Sequence, residues 1–306
     1  MMGKASALGD RRAASAKLKP PTNEITLVDT HVHLHACFRL DRAFNAAYWH
    51  FTRAARRWPE STWKGVLCLA EGADEDAFER LSENASRSDR VAGPDEWAVG
   101  STEDETALIV RTSSGRELIV ITGRQCPTTD GIELLLPGRR SGPGPDCSLA
   151  EAMEYALEES GPVLIPWGFG KWFGRRRRLI SEIVLNAEPG RILLADSGNR
   201  AAGLPEPKLL RAARSFGRAV PAGSDPLPFR SEEDRPGSYG TALDHIVLGR
   251  NPTGGVLQAL LDPRAYIDTF GSLETTARFV RNQVGMQLRK RSGLSARQPR
   301  ERRNQA

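Results

Sequence analysis

The stretch Ile25-Thr26-Leu27-Val28-Asp29-Thr30-His31-Val32-His33-Leu34-His35 holds three of the chain's five histidines, and its reading decides both fold and site. Its first half is apolar enough for a strand buried in a parallel sheet. Side chains alternate faces along a strand, so Asp29, His31, His33 and His35 fall on one face and Val28, Val32 and Leu34 on the other. Two imidazoles two residues apart at a strand end can grip one metal ion, and the acidic neighbour can ligate or orient a histidine. The competing reading is a set of surface or hydrogen-bonded core histidines, but an apolar strand has little other use for such a cluster.

Outward from this stretch, Phe38 to Trp58 reads as an amphipathic helix, with Phe44, Tyr48, Phe51 and Ala55 at helical spacings and Pro59 as its stop. Lys64–Ala70 is a second buried strand. It ends at Glu71, either a ligand on a strand rim or the acidic prelude to a helix over Asp74–Asn84. Thr106–Arg111 and Glu117–Thr122, around Ser113-Ser114-Gly115, read as a hairpin, and 131–136 as another strand. From Ser148 onward strands and helices alternate, as in a parallel sheet or barrel. The helix Ser148–Ser160 opens with capping-box spacing between Ser148 and Glu151. Strands at Gly161–Pro166, Arg191–Ala195 and Arg218–Gly223 follow, with a helix at about Glu206 to Gly217. Helices near Gly240–Gly249, over Thr253–Leu261 and from Leu273 to about Leu288 close the chain.

Two of these strands end in an aspartate and a tight loop, Asp196-Ser197-Gly198 and Ser224-Asp225-Pro226. Asp favours turns, yet in parallel strands both carboxylates would rise on the rim of His31 and His33. After Pro166 the chain runs Trp167-Gly168-Phe169-Gly170-Lys171-Trp172-Phe173-Gly174-Arg175. Its glycines let backbone amides approach a ligand, while Lys171 and Arg175 add positive charge beside Trp167 and Trp172. That combination suits a phosphate or carboxylate. Arg176–Arg178 read as a solvated basic helix face.

The net charge of +5 invites a nucleic-acid role, but residues 1–20 carry +4 and 289–306 carry +6, which leaves the body between them at −5. Both ends are polar and read as disordered basic tails (1–22 and 289–306) around one domain over 23–288. Nucleic acid is then a partner only through the tails. There is no apolar run of membrane-spanning length and no apolar signal-peptide core. Four scattered cysteines without a CxxC pair suggest reduced thiols in the cytoplasm.

On Asp29-Thr30-His31-Val32-His33, the strand pair over Ile121–Leu136, Gly161–Pro166 and Ala222-Gly223-Ser224-Asp225, the chain resembles the PHP (polymerase and histidinol phosphatase) group of metal-dependent hydrolases. The likeness spans about residues 25–230, and its first and last motifs are the specific ones. It implies an α/β fold, a distorted (β/α) barrel of the PHP/amidohydrolase-like type, here with a hairpin in the middle and C-terminal helices. It also implies divalent ions, zinc, manganese or iron, that activate water for attack on a phosphoester.

The chain departs from that pattern at three histidines. The family's Thr-Asp-His is here Leu69-Ala70-Glu71-Gly72, its Pro-His is Pro166-Trp167, and the histidine after Gly-Ser-Asp is Leu227. What remains is His31, His33 and Asp225, with Glu71, Glu133 or Asp196 as further candidates. Two histidines and a carboxylate suffice for one catalytic ion. The expectation is thus one ion, not more than two, whose water loses a proton to Glu71 or Asp196 while Lys171 or Arg175 neutralises a small phosphorylated or anionic substrate. Trp167 and Trp172 would shape its pocket. The alternatives are a barrel that has lost catalysis and binds a ligand or partner, and a nucleic-acid role through the tails.

Overall fold

The computed structural model describes residues 23–86, 97–158, 160–186, 191–244 and 248–291. The histidine stretch forms β1 (Glu24–Val32), buried along nearly its whole length, and α1 (Leu40–Ala55) follows. Next come β2 (Thr62–Leu69), α2 (Ala77–Ser86), β3 (Ala98–Ser101), β4 (Ala107–Arg111), β5 (Glu117–Ile121), β6 (Gly123–Pro127) and β7 (Glu133–Pro137). Then α3 (Leu149–Glu158), β8 (Val163–Pro166), α4 (Gly174–Asn186), β9 (Ile192–Ser197), α5 (Lys208–Ser215) and β10 (Ala222–Gly223) alternate. β11 (Tyr239–Asp244), α6 (Pro252–Leu261), β12 (Tyr266–Gly271) and α7 (Thr276–Arg291) complete the described chain. At the start of α3 the Ser148 N–H donates to Glu151 Oε2 at 2.7 Å and the Glu151 N–H to Ser148 Oγ at 3.3 Å, the reciprocal cap expected from their spacing.

The strands form two mixed sheets, in the orders β12-β11-β1-β2-β5-β4-β3 and β10-β9-β8-β7-β6. The expected distorted (β/α) barrel is overturned, because among the described residues these sheets do not close into one ring. A (β/α) barrel needs a helix after each strand to return the chain parallel. Here β3 to β7 follow one another with no helix between, and β3–β4, β4–β5, β6–β7 and β7–β8 all pair antiparallel. The expected helix near Gly240–Gly249 is also corrected. Tyr239–Asp244 is a strand, antiparallel to both β1 and β12, because the edge of β1 offers it a ladder partner; residues 245–247 lie outside the described residues. β3 and β12 have no counterpart among the expected strands. The expected tails lie outside the described residues except for 289–291, which end α7.

α1 and α2 pack on one face of the larger sheet, burying Phe44, Phe51, Leu81 and Trp97. α6 lies on the other face, with Val256 and Leu260 against Val28, Val66 and Ile119. α3, α4 and α5 cover the smaller sheet. Among the described residues no helix is long and apolar enough to cross a membrane.

The two sheets meet along two seams, and these position the site. At one, Glu71 N–H donates to Gly123 O at 3.0 Å and Gln125 N–H to Glu71 O at 2.9 Å. At the other, Asp225 N–H donates to His31 O at 2.8 Å and Thr30 Oγ1 to Ala222 O at 3.0 Å. Each seam is tight enough to require glycine: a Cβ on Gly123 would stand 2.2 Å from Leu69 O, and one on Gly223 only 2.4 Å from His31 N.

Candidate metal centre

The register of β1 on β2 shifts between Asp29 and Val32, so the strand leaves its regular pairing where the histidines begin. Asp29 is fully buried and does not face them. Its carboxylate accepts from Ser224 N–H at 2.8 Å, Gly237 N–H at 2.8 Å, His31 N–H at 3.2 Å and the Ser224 hydroxyl. Burial pushes this carboxyl up to about 7, against the pull of those donors. Asp29 therefore fastens the loop after β10, and with it Asp225, to the end of β1.

His31 Nε2 lies 3.2 Å from His33 Nε2, 3.1 Å from Gln125 Oε1 and 3.5 Å from Asp225 Oδ1. One ring nitrogen thus faces three atoms that each carry a lone pair, and one proton cannot serve them all. Ligand atoms around a tetrahedral ion at zinc-like distances stand about 3.3 Å apart, so this spacing fits a single divalent ion. His31, His33 and Asp225 each offer a ligand atom within 4.8 Å of the others, and the donor set of two imidazoles and a carboxylate suits zinc, manganese or iron. His31 Nδ1 is buried without a hydrogen-bond partner, so only the cluster at Nε2 decides where its proton sits.

Glu75 supports the cluster from behind. His33 Nδ1 donates to its Oε2 at 3.0 Å, and His35 Nδ1 pairs with its Oε1 at 2.6 Å. The His33 and His35 rings stack with centroids 5.1 Å apart, and His35 Nε2 donates to Pro226 O at 2.9 Å. A bond at Nδ1 leaves the neutral His33 ring with its lone pair at Nε2, toward His31. His33, His35 and Glu75 also lie close enough to form a ligand group of their own.

Charge follows the same geometry. Burial pulls His31 below its ordinary value, and neighbouring His33 adds to this against the attraction of Asp225. Burial would lower His33 as well, but its bond and charge contact with Glu75 carry it above the usual value. Burial raises Glu75 and Asp225, yet the histidines beside them bring both below the carboxylate range.

Asp225 sits in the left-handed region at φ 51°. Ser197 Oγ donates to its Oδ2 at 3.0 Å, and Asn199 Nδ2 donates to its backbone carbonyl. The loops after β9 and β10 thus aim this carboxylate together. Asp225 also lines a cavity of about 570 Å³ bounded by Trp167, Lys171, Ser197 and α7; the imidazoles do not line it.

The remaining sequence candidates are placed differently. Glu71 is buried, accepts from Phe78 N–H at 2.8 Å and lies 4.0 Å from Arg124, which makes it a brace for the start of α2. Burial raises its carboxyl despite that bond. Asp196 is held by Arg200 at 3.1 and 2.8 Å and by the Tyr239 hydroxyl at 2.9 Å. Neither joins His31, His33 and Asp225 in a ligand group. Lys171 pairs with Glu133 at the cavity edge. Trp167 is buried against the cavity, Trp172 is buried with its Nε1 on Pro166 O at 3.1 Å, and Arg175 is exposed, 3.8 Å from Asp130.

Glu75, Gln125, Ser197 and Asn199 escaped the sequence reading. Glu75 had a signal, since it lies in the acidic run after the second strand; Gln125 had none, since a lone glutamine in a short strand carries no pattern. No family model and no curated protein matches this chain.

Proposed function

We propose that the chain is a metal-dependent hydrolase that binds one divalent ion, zinc, manganese or iron, through His31, His33 and Asp225, and that its substrate is a phosphoester. One observation carries this reading: His31 Nε2 stands 3.2 and 3.5 Å from His33 Nε2 and Asp225 Oδ1, spacing that fits one tetrahedral ion, and of these side chains Asp225 lines the cavity. The His-x-His and Gly-Ser-Asp segments that resemble the PHP group support it. A divalent ion held there supplies Lewis-acid polarisation of the scissile group and acidifies water. Glu75 keeps the His33 proton on Nδ1, Ser197 and Asn199 aim Asp225, and Lys171 places a cation beside the reacting end of the substrate.

The test is metal analysis of the purified protein beside His31→Ala and Asp225→Ala, with hydrolysis of 4-nitrophenyl phosphate by the metal-loaded forms. Bound metal and activity lost together in both variants support the proposal; metal content unchanged in either overturns it. A second reading, a binding protein without catalysis, is favoured by the engagement of Glu71 and Asp196, which leaves neither free to take a proton. Metal retained with no turnover across a panel of phosphoesters, amides and lactones would select it. Cys37, Cys68, Cys126 and Cys147 are all free thiols, which supports a reducing compartment such as the cytoplasm. Nucleic acid would be met only through the basic ends.

A further inference from the structure

The cavity at Asp225 is chemically two-sided. Lys171, Ser197, Asn199 and Asp225 reach it from the loops and ends after β8, β9 and β10, beside the candidate ligands, and Gln283, Gln287 and Arg291 of α7 also line it. Phe169 together with Val284, Met286 and Leu288 of α7 gives it an apolar strip, which accounts for three of the exposed large hydrophobic side chains among the described residues: Phe169 is 51% exposed, Val284 53% and Leu288 61%. Val284 and Leu288 lie four residues apart, on one face of α7, and turn that face toward the cavity. Exposed apolar side chains that converge on a concavity with polar groups at one end mark a ligand groove, and about 570 Å³ is the size of a small-molecule site. The chain's own continuation does not match these walls: residues 292–306 hold four arginines and one large aliphatic side chain, Leu294.

We infer that this cavity takes an amphiphilic substrate, with an anionic hydrolysable head seated at Asp225 and Lys171 and an apolar body of several carbons lying between Phe169 and the Val284–Leu288 face of α7. The inference rests on the proposed metal site only for the seat of the head. A bare inorganic or sugar phosphate would leave the apolar wall wet, whereas an alkyl or aryl body removes it from water. Each methylene fully buried there tightens binding roughly fourfold.

The experiment titrates the full-length, zinc-loaded protein with methyl-, butyl- and octylphosphonate, which keep the anionic head and cannot be hydrolysed, and follows binding by calorimetry. The expected result is affinity that rises with chain length, at least tenfold from methyl to octyl. In the neutral double variant Val284→Asn/Leu288→Asn, both positions being exposed, that rise should vanish while zinc content stays as in the parent. Equal affinity for the three phosphonates, no binding of any, or an unchanged rise in the variant would each overturn the inference. So would a variant that only shifts a dimer to a monomer, which would make the α7 face an interface between copies. Chain-length dependence in a protein that takes up no zinc would instead support the amphiphile inference and sink the metal reading. Zinc bound with no chain-length dependence would do the reverse.

Discussion

The ends of β9 and β10 pose the same local problem and solve it in opposite ways. Each parallel strand runs into a tight loop through an aspartate, and in sequence Asp196 and Asp225 look interchangeable. In the structure both oxygens of Asp196 are saturated by Arg200, Tyr239 and the Ser197 N–H. Asp225 receives one hydroxyl on Oδ2 and turns Oδ1 toward His31. The difference arises four residues downstream: Arg200 lies within reach of Asp196, whereas the four residues after Asp225, Pro226 to Phe229, carry no cation. A buried carboxylate with a resident cation is a brace, and one that turns an oxygen toward imidazoles is, on the proposed reading, a seat for a metal ion.

Replacing each aspartate gives the largest effect and the most direct way to break this contrast. Asp196→Ala leaves Arg200 buried and unpaired and should lower stability by about 3–5 kcal/mol in a denaturant titration. Metal content of the folded fraction should be unchanged. Asp225→Asn should reverse the pattern, with the unfolding midpoint of the metal-free protein within about 1 kcal/mol of the parent and metal affinity down by at least roughly tenfold. If both variants lose stability and neither loses metal, the two strand ends do not differ in kind.

The second effect concerns the support behind the imidazoles. Glu75→Ala should weaken metal binding about 10–100-fold in a chelator competition, and Glu75→Gln should recover part of it, because the amide oxygen still accepts from one histidine. Equal affinity in all three proteins would remove Glu75 from the site.

A pH series sharpens the same point. The hydrogen bond and charge contact with Glu75 raise His33 above the ordinary imidazole value despite burial, so an ion must displace a proton held more tightly than on a free imidazole. Metal affinity should therefore rise with pH and level off only above the ordinary imidazole range. In Glu75→Gln the levelling should move to lower pH. A profile that is flat from pH 6 to 8 would contradict this.

The smallest effect calibrates an ordinary structural carboxylate. Asp104 accepts from Thr253 N–H at 2.9 Å at the start of α6 and from Thr106 N–H at 2.9 Å. Burial raises this carboxyl, but those bonds hold it net below its usual range. Its contribution is thus full above the ordinary carboxylate range and is lost as pH falls through the depressed value. Asp104→Ala should cost about 1 kcal/mol at neutral pH and lose less stability than the parent between pH 5 and pH 3.

Local pattern made part of the site legible. The period-two spacing of His31 and His33 at a strand end, and Asp225 after Gly-Ser, pointed to three side chains that the structure does bring together. The Thr106–Thr122 hairpin and the Ser148–Glu151 cap were legible for the same reason, since each is settled within a few residues. Glu71 and Asp196 were read from an equally good position on a strand, but their partners Phe78, Arg124, Arg200 and Tyr239 are not visible in that position. Gln125 enters only because β6 lies against the end of β2 across a seam that Gly123 permits.

By itself the sequence determined the strands at β1, β2, β4, β5, β7, β8 and β9 and where the imidazoles cluster. Those properties follow from side-chain periodicity and local backbone sterics, which act over a few residues. Only the tertiary structure decided that the strands form two mixed sheets and not a barrel, that 239–244 pairs with β1, and that Asp225 turns toward His31. Strand direction, edge pairing and the meeting of Asp225 with His31 depend on residues far apart in the chain, through contacts that exist only once the sheets have assembled.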